Sequence, residues 1–290
     1  MCSSDLGTLV ATAPTPPVTS IRSLVSLEGD EVLFSVGSYT RPEAFRRWTG
    51  RAGEPLREAA LRISSPADFS GIEVVREWAV SRDGTRVPIS VLRHRGARLD
   101  GSNPTLLYGY GGYGLSLEPG FDPVLLAWLE QGGVYAAAHI RGGGEYGDAW
   151  HRAGSLTSKQ NVFDDFIACA ERLLELGYAG PDRLAIHGAS NGGLLMGAVL
   201  TQRPELFRAV LCNVGVLDSL RVERDDNGAF NVTEFGTVTD PDHFRALLAY
   251  SPYANVRDGT AYPAVLLSTG ANDPRVDPYH SRKMAARLQA

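Results

Sequence analysis

The residues best suited to chemistry surround Ser190, in the stretch AIHGASNGGLLMG at positions 185–197. Gly188, Ser190 and Gly192 fit the pattern G-x-S-x-G, which places a nucleophilic serine on a sharp turn between a strand and a helix. The preceding RLAIHG predicts a buried strand, and the adjoining GGLLMGAVLTQRP predicts a helix that ends at the proline. The alternative is a glycine-rich turn with a solvated serine, but the strand–serine–helix order favours a nucleophile.

A nucleophilic serine requires hydrogen-bond donors for the oxyanion that forms when it attacks a carbonyl group. The backbone N–H of Asn191 is one candidate, because it begins the predicted helix, where the dipole favours negative charge. The loop LLYGYGGYG at positions 106–114 comes after an earlier predicted strand. Its glycines allow close backbone approach, and Tyr110 or Tyr113 offers a second donor. Aromatic side chains that merely pack would explain this loop equally well.

Predicted strands alternate with predicted helices from residue 73 onwards. Strand candidates lie at 105–108, 133–139, 184–187, 209–213 and 264–269, and Asp83-Gly84 marks a hairpin turn between two earlier strands. The segment NVFDDFIACAERLLELG has apolar residues at helical spacing, with Gly177 placed to end the helix. This alternation predicts an α/β fold, with a mostly parallel sheet and helices on both faces.

Residues 1–72 have a different pattern. Short β-rich runs at 32–36 and 45–48, separated by turn residues, are typical of a meander or a propeller blade. The segment is too short to bury a sizeable core, so we expect it to belong to a larger domain. The opening MCSSDL looks foreign to the rest of the chain, and we hypothesise that it translates a sequencing-adapter remnant.

Composition narrows the class of protein. The 290 residues are 43% hydrophobic and 21% charged, an ordinary globular balance. A net charge of −5 without a Lys/Arg run argues against a nucleic-acid partner. Cys2, Cys169 and Cys212 lack the spacing of a disulfide framework or a metal site. Without an apolar run of membrane-spanning length or a signal peptide, we expect no membrane partner. A cytoplasmic location is favoured, with a periplasmic or secreted one left open.

The chain resembles the prolyl oligopeptidase family of serine peptidases in seven segments, namely LLYGYGGYGLSLEP, IRGGGEYGDAWHRAG, KQNVFDDF, HGASNGGLL, QRPELF, YSPYANV and ANDPRV. These occur in order from about residue 73 to the last residue. The resemblance implies an α/β-hydrolase fold whose active site is covered by a β-propeller. Residues 1–72 would then be the end of the propeller, and 73–290 a catalytic domain truncated at its C-terminal end.

The resemblance carries roles onto individual residues. Ser190 matches the nucleophile, and the Asn191 amide and the Tyr110 hydroxyl match the oxyanion donors. Asp273 matches the acid that orients the catalytic histidine, with Asp277 as its nearest competitor. The substrate-binding candidates are Arg275, which matches an arginine that binds a substrate carbonyl, Tyr113, Val276, Phe230, Asn231 and Phe235.

The sequence departs from the family at the specificity segment. Prolyl-specific members place a tryptophan a few residues before E-Y-G, and the substrate proline stacks on it. This segment reads GAFNVTEFG here, so Asn231 takes that place and Phe235 replaces the usual tyrosine. We therefore expect weak or altered selectivity for proline. Phe230 would substitute for the tryptophan if the backbone shifted by one residue.

The catalytic histidine is expected to come after Asp273, because α/β-hydrolases order the triad Ser, Asp, His. His139, His151 and His187 precede Ser190, so structural roles are expected for them. His280 comes after Asp273 but matches a histidine outside the triad. We therefore expect that the catalytic histidine is not present in this chain and that the chain as given is inactive.

These observations predict a serine endopeptidase that acts on oligopeptides through an acyl-enzyme, without a metal or an organic cofactor. An esterase or an exopeptidase on the same fold is the first alternative, because a fold does not fix the substrate. A non-catalytic scaffold is the second. We expect the full-length protein to be monomeric.

Overall fold

The computed structural model describes residue 9 and residues 11–290, which form two compact units. The first unit comprises the residues up to Val74 together with Glu118–Ala127. The second comprises Val75–Leu117 and Trp128–Ala290. The hypothesis about MCSSDL concerns residues that lie outside the described part of the chain.

The first unit is built on a four-stranded antiparallel sheet with the strands in chain order. The strands at 32–36 and 45–48 were predicted from the sequence and are confirmed. The first and last strands were missed, because most of their side chains are exposed and show no apolar alternation. The four strands are β1 (Thr19–Ser26), β2 (Val32–Ser38), β3 (Ala44–Trp48) and β4 (Arg57–Arg62).

The segment Glu118–Ala127 groups with the first unit, although a boundary at residue 72 assigns it to the second. The Ser20 hydroxyl donates to the Pro119 carbonyl at 2.9 Å. The rings of Phe69 and Phe121 lie 5.2 Å apart. These partners are far apart along the chain, so no local sequence pattern reveals the association.

The second unit contains a seven-stranded mixed sheet in the order β11-β10-β9-β7-β8-β6-β5. Strands β11, β10, β9, β7 and β8 run parallel to one another, and β6 runs antiparallel to β8. The predicted α/β-hydrolase fold, with its mostly parallel sheet, is confirmed. The strands are β5 (Ile72–Val80), β6 (Arg86–His94), β7 (Thr105–Tyr108), β8 (Val134–Ala138), β9 (Leu184–Ala189), β10 (Ala209–Asn213) and β11 (Ala264–Ser268).

Helices cover the sheet and connect its parallel strands. Helix α3 contacts β6, and α4 contacts both β9 and β10. Successive β6 residues from 87 to 92 are buried, so both faces of this strand are covered. The helices are α1 (Val124–Leu129), α2 (Asp148–Arg152), α3 (Gln160–Glu175), α4 (Asn191–Gln202), α5 (Gly228–Phe235), α6 (Pro241–Tyr250), α7 (Pro252–Asn255) and α8 (Tyr279–Gln289).

Helix α3 illustrates how the sequence determines an element. Its apolar stripe includes Phe163 and Phe166, which are fully buried, and each contributes about 1.5–3 kcal/mol by leaving water. Gly177 ends the helix at φ +74°, and the next residue, Tyr178, donates its N–H to the Leu173 carbonyl. This Schellman arrangement is the predicted glycine stop.

Cys169 and Cys212 are buried free thiols, and Cys2 lies outside the described residues. Burial raises the pKa of Cys212 to about 12, so the thiol stays protonated and unreactive. Across the described part of the chain, no helix is both long enough and apolar enough to cross a membrane. The same residues contain no group of three His, Cys, Asp or Glu side chains able to hold a metal ion.

Candidate active site

Ser190 lies on the tight turn between β9 and α4. Its backbone has φ +57° and ψ −117°, a conformation that is rare for a residue with a side chain. A Cβ atom at Gly192 would lie 2.7 Å from the Gly109 carbonyl oxygen, and one at Gly188 would overlap the Gly192 carbonyl. Only glycine fits at these positions. The Ser190 N–H donates to the Asn213 carbonyl at 3.0 Å, so the strained turn is held against β10.

The loop after β7 places Tyr110 beside Ser190, and both residues line the same cavity. Burial raises the pKa of Tyr110, so the phenol keeps its proton at neutral pH and can donate it to a developing oxyanion. Asn191 begins α4, and its backbone N–H is one of the first-turn donors without a partner inside the helix. Its side-chain amide donates to the Tyr110 carbonyl at 2.6 Å, which ties this loop to the turn.

The structure separates the two tyrosines that the sequence left as alternatives. The Tyr113 hydroxyl donates to Asn231 Oδ1 at 2.7 Å, so its hydrogen bond goes to α5. Burial raises the pKa of Tyr113, and the nearby Glu234 carboxylate raises it further. Tyr110, but not Tyr113, lines the cavity that contains both Ser190 and Asp273.

Asp273 lies in the loop after β11. Its Oδ1 accepts the backbone N–H groups of Arg275 at 2.9 Å and Val276 at 3.1 Å. These two hydrogen bonds hold the pKa of Asp273 below its usual value, so the carboxylate is ionised at neutral pH. The competing carboxylate, Asp277, instead accepts the first amide of α8 at 2.9 Å.

Two adjoining cavities open at Ser190. The serine cavity, of about 560 Å³, is lined by Tyr108, Tyr110, Leu115, Ser116, Leu117, Ser190, Val214, Asp273, Arg275 and Val276. The aromatic cavity, of about 340 Å³, is lined by Tyr110, Tyr113, Leu115, Ser190, Val216, Asn227, Phe230, Asn231, Arg275 and Val276. Because the two share five residues, including Ser190 and Arg275, they form one groove that passes the serine.

Three predicted substrate residues on α5 have different surroundings. The Phe230 side chain is 60% exposed and stacks on Tyr113, with ring centroids 5.6 Å apart and planes 11° apart. Asn231 is 9% exposed and is held by Tyr113. Phe235 is buried beneath Tyr113 and lines neither cavity, so the structure does not bring it to the groove. Both Phe230 and Asn231 line the aromatic cavity, and the exposed ring of Phe230 supplies its aromatic face.

Sequence reasoning missed several apolar lining residues. Leu115 comes directly after the glycine loop, and Val214 and Val216 come after β10. Val214 has φ +44°, a strained value for a β-branched residue. These residues could have been predicted from their positions after parallel strands, because ligands bind at the carboxyl ends of such strands.

Four buried or half-buried histidines have partners elsewhere. No hydrogen bond among the described residues joins a histidine to Ser190 or to Asp273. The ring partners are Ser90 for His139, Glu234 for His151, Asn213 for His187, and both Asp225 and the Asp218 amide for His280.

A buried ion pair behind the aromatic cavity was not predicted from the sequence. Lys159 Nζ lies 2.6 Å from Glu234 Oε1, and both side chains are almost fully buried. The one sequence feature that could have drawn attention to Lys159 is the rarity of lysine in this chain. The chain has 28 basic residues, and Lys159 and Lys283 are its two lysines.

A strained serine at a strand-to-helix turn of a mixed sheet, with a phenol donor beside it and a carboxylate in the same cavity, defines an α/β-hydrolase. The sequence model of the prolyl oligopeptidase family matches residues 119–290. The chain belongs to this family.

Individual relatives agree with this assignment. A prolyl endopeptidase from Elizabethkingia miricola is 48% identical over 263 residues, which are 90% of this chain and 37% of that protein. A solved prolyl endopeptidase structure aligns with a TM-score of 0.89 and 44% identity, over 97% of this chain and 41% of its own. A post-proline cleaving enzyme from Rickettsia typhi aligns with a TM-score of 0.85 and 33% identity, over 96% and 40%. The chain thus spans about two fifths of the proteins it matches.

Proposed function

We propose that this chain forms the nucleophile-bearing part of a serine endopeptidase that cleaves short peptides through an acyl-enzyme. One observation carries the proposal. Ser190 has the strained backbone of a nucleophile, and it lines one cavity together with Tyr110 and Asp273. We further propose that the second unit is the catalytic domain and that the first belongs to a β-propeller, since a four-stranded antiparallel sheet is the size of one blade.

The proposed chemistry begins when the Ser190 oxygen attacks the carbonyl carbon of a peptide bond and passes its proton to a general base. The carbonyl electrons move to the oxygen, which receives hydrogen bonds from the Asn191 amide and the Tyr110 hydroxyl. When the carbonyl re-forms, the amine leaves with a proton and the acyl group stays on Ser190 as an ester. Water then hydrolyses this ester, and Ser190 recovers its proton.

Asp273 is proposed to orient the imidazole of the base and to stabilise its positive charge. Its ionised state and its place in the serine cavity support this role. None of the histidines that bond elsewhere is proposed as the base.

Substrate binding is proposed to use both ends of the groove. Arg275 is exposed, lines both cavities and forms no ion pair within the described residues, so its guanidinium is free to donate to a substrate carbonyl. Phe230 and Tyr113 supply an aromatic wall on which an apolar side chain or a proline ring packs. The single Phe230 face supports a proline preference weaker than a tryptophan would give.

The proposal is tested with internally quenched peptides that carry proline or alanine before the scissile bond, using the natural full-length protein. We expect cleavage at internal bonds, and covalent labelling of Ser190 by a fluorophosphonate. Hydrolysis of esters alone would instead indicate an esterase, and release of terminal residues alone an exopeptidase. Failure of Ser190 to react with the fluorophosphonate would indicate a scaffold.

A further inference from the structure

Lys159 is a buried cation that joins two parts of the groove wall. It lies at the start of α3, and its side chain is 1% exposed. Nζ donates to Glu234 Oε1 at 2.6 Å and to the Gly111 carbonyl at 3.0 Å, and it lies 5.3 Å from the centre of the Phe235 ring. Burial lowers the pKa of the ammonium, while the facing carboxylate favours its charged form. A buried charge is tolerated only when it is paired in this way.

The first partner belongs to the oxyanion loop. Gly111 comes directly after Tyr110, which lines both cavities together with Ser190. It has φ +64°, and a Cβ atom there would lie 2.5 Å from Val162 Cγ1. The Lys159 ammonium therefore holds the carbonyl of a tightly packed glycine one residue away from the proposed oxyanion donor.

The second partner belongs to the helix that carries the aromatic wall. Glu234 lies on α5, four residues after Phe230 and hence one turn along the same face. Its other carboxylate oxygen, Oε2, lies 2.8 Å from His151 Nε2. Both oxygens of this buried carboxylate are engaged, so α5 is anchored from two sides.

The choice of lysine is informative in this chain. Of its 28 basic residues, 26 are arginines. An ammonium is compact and donates in three directions, so it can reach a carbonyl on one element and a carboxylate on another. An arginine presents a larger planar fork, which the closed space around Lys159 does not suit. The other lysine, Lys283, is partly exposed on α8 and pairs with Asp218.

We propose that Lys159 is a positioning residue. Through the Gly111 carbonyl it fixes the position of the Tyr110 side chain relative to Ser190, and through Glu234 it fixes the position of α5 and its Phe230 ring. This inference rests on the proposed peptidase function. The side chain acts through the backbone of Gly111 and through α5, and it does not touch the substrate itself.

A double-mutant cycle in the natural full-length protein tests the inference. We expect Lys159→Met to lower kcat/KM by about 10²-fold, the effect of a 1 Å misplacement remote from the chemistry. Tyr110→Phe should cost about 10²–10³-fold. If Lys159 acts through Tyr110, the double variant should be at least tenfold better than the product of the two losses. Losses that multiply would overturn the inference, because an independent structural role gives independent effects.

Three further variants make the test specific. Lys283→Met is the matched control. It breaks the ion pair between the other lysine and Asp218, and it should leave kcat/KM unchanged. Lys159→Arg keeps the charge but not the geometry and should fail to restore activity; full activity would refute the geometric argument. Glu234→Gln keeps an acceptor for Lys159, so it serves in the same cycle if Lys159→Met does not fold. A separate Ser190→Ala variant tests the proposed function itself. If that variant hydrolyses peptides at the wild-type rate, the proposed function fails, whatever the result of the double-mutant cycle.

Discussion

A Tyr110→Phe substitution removes one hydroxyl and leaves the aromatic ring in place. The structure predicts a large effect on catalysis, because Tyr110 lines the groove beside Ser190 and burial keeps its hydroxyl protonated. Loss of one oxyanion donor typically costs about 2.7–4 kcal/mol of transition-state stabilisation. We therefore expect kcat to fall by about 10²–10³-fold, with little change in KM or in stability.

Tyr113→Phe is the matched control, since it makes the same change three residues later in the same loop. The Tyr113 hydroxyl donates to Asn231 Oδ1 at 2.7 Å, and Asn231 is nearly buried. Leaving that acceptor without a donor should cost about 1–3 kcal/mol of folding stability. For a domain of this size, each kcal/mol shifts the thermal midpoint by about 2–4 °C. We expect a lower midpoint and a kcat within a few-fold of wild type.

The assay compares steady-state hydrolysis of one internally quenched peptide by the two variants and the wild type, together with thermal unfolding of each. The two effects should separate, with catalysis lost in Tyr110→Phe and stability lost in Tyr113→Phe. Equal losses of kcat would refute the reasoning, because they would show that the loop as a whole, and not the Tyr110 hydroxyl, supports the reaction.

The groove and the turn lead to three other predictions. Phe230→Ala should lower the proline-over-alanine ratio of kcat/KM by about 2–13-fold, the equivalent of 0.5–1.5 kcal/mol of aromatic packing; an unchanged ratio would exclude Phe230 from the wall. Asp273→Asn should lower kcat by about 10⁴-fold at every pH from 5 to 9, because backbone amides hold the Asp273 pKa below its usual value and the carboxylate is ionised throughout; a loss that shrinks towards acid pH would contradict this, because it would show that the carboxylate is protonated there. Gly193→Ala should cost about 1–3 kcal/mol in urea unfolding, since its Cβ would overlap Gly215, and wild-type stability would show that the turn has more room than the structure indicates.

The sequence predicted the parts of the site that lie within one element or one turn. The Ser190 turn combines a buried strand, small residues and a helix in one continuous stretch, so local patterns were enough. The same holds for the Gly177 stop and the hairpin at Gly84. Each depends on contacts a few residues apart, which periodicity and turn chemistry encode directly.

Contacts between distant segments were not predictable in this way. Lys159 meets Gly111 and Glu234, which come from three separate parts of the chain, so no local pattern marks the cluster. The surroundings of α5 residues were also not predictable, because neighbouring helical positions differ by about 100° and the sequence does not show which of them presents an exposed aromatic ring to the groove. The family resemblance supplied roles for positions 230 and 231. The structure shows that the Phe230 ring is exposed, whereas the Asn231 amide is nearly buried and hydrogen-bonded to Tyr113.

The role of Ser190 as the nucleophile is tested most directly by intact-mass spectrometry of the natural full-length protein after reaction with a fluorophosphonate, comparing wild type with Ser190→Ala. We expect one covalent adduct on the wild-type protein, mapped to Ser190, and none on the variant, whose peptide hydrolysis should fall by about 10⁶-fold. An adduct on another residue, or a Ser190→Ala protein that still hydrolyses peptides at a near-normal rate, would contradict this role.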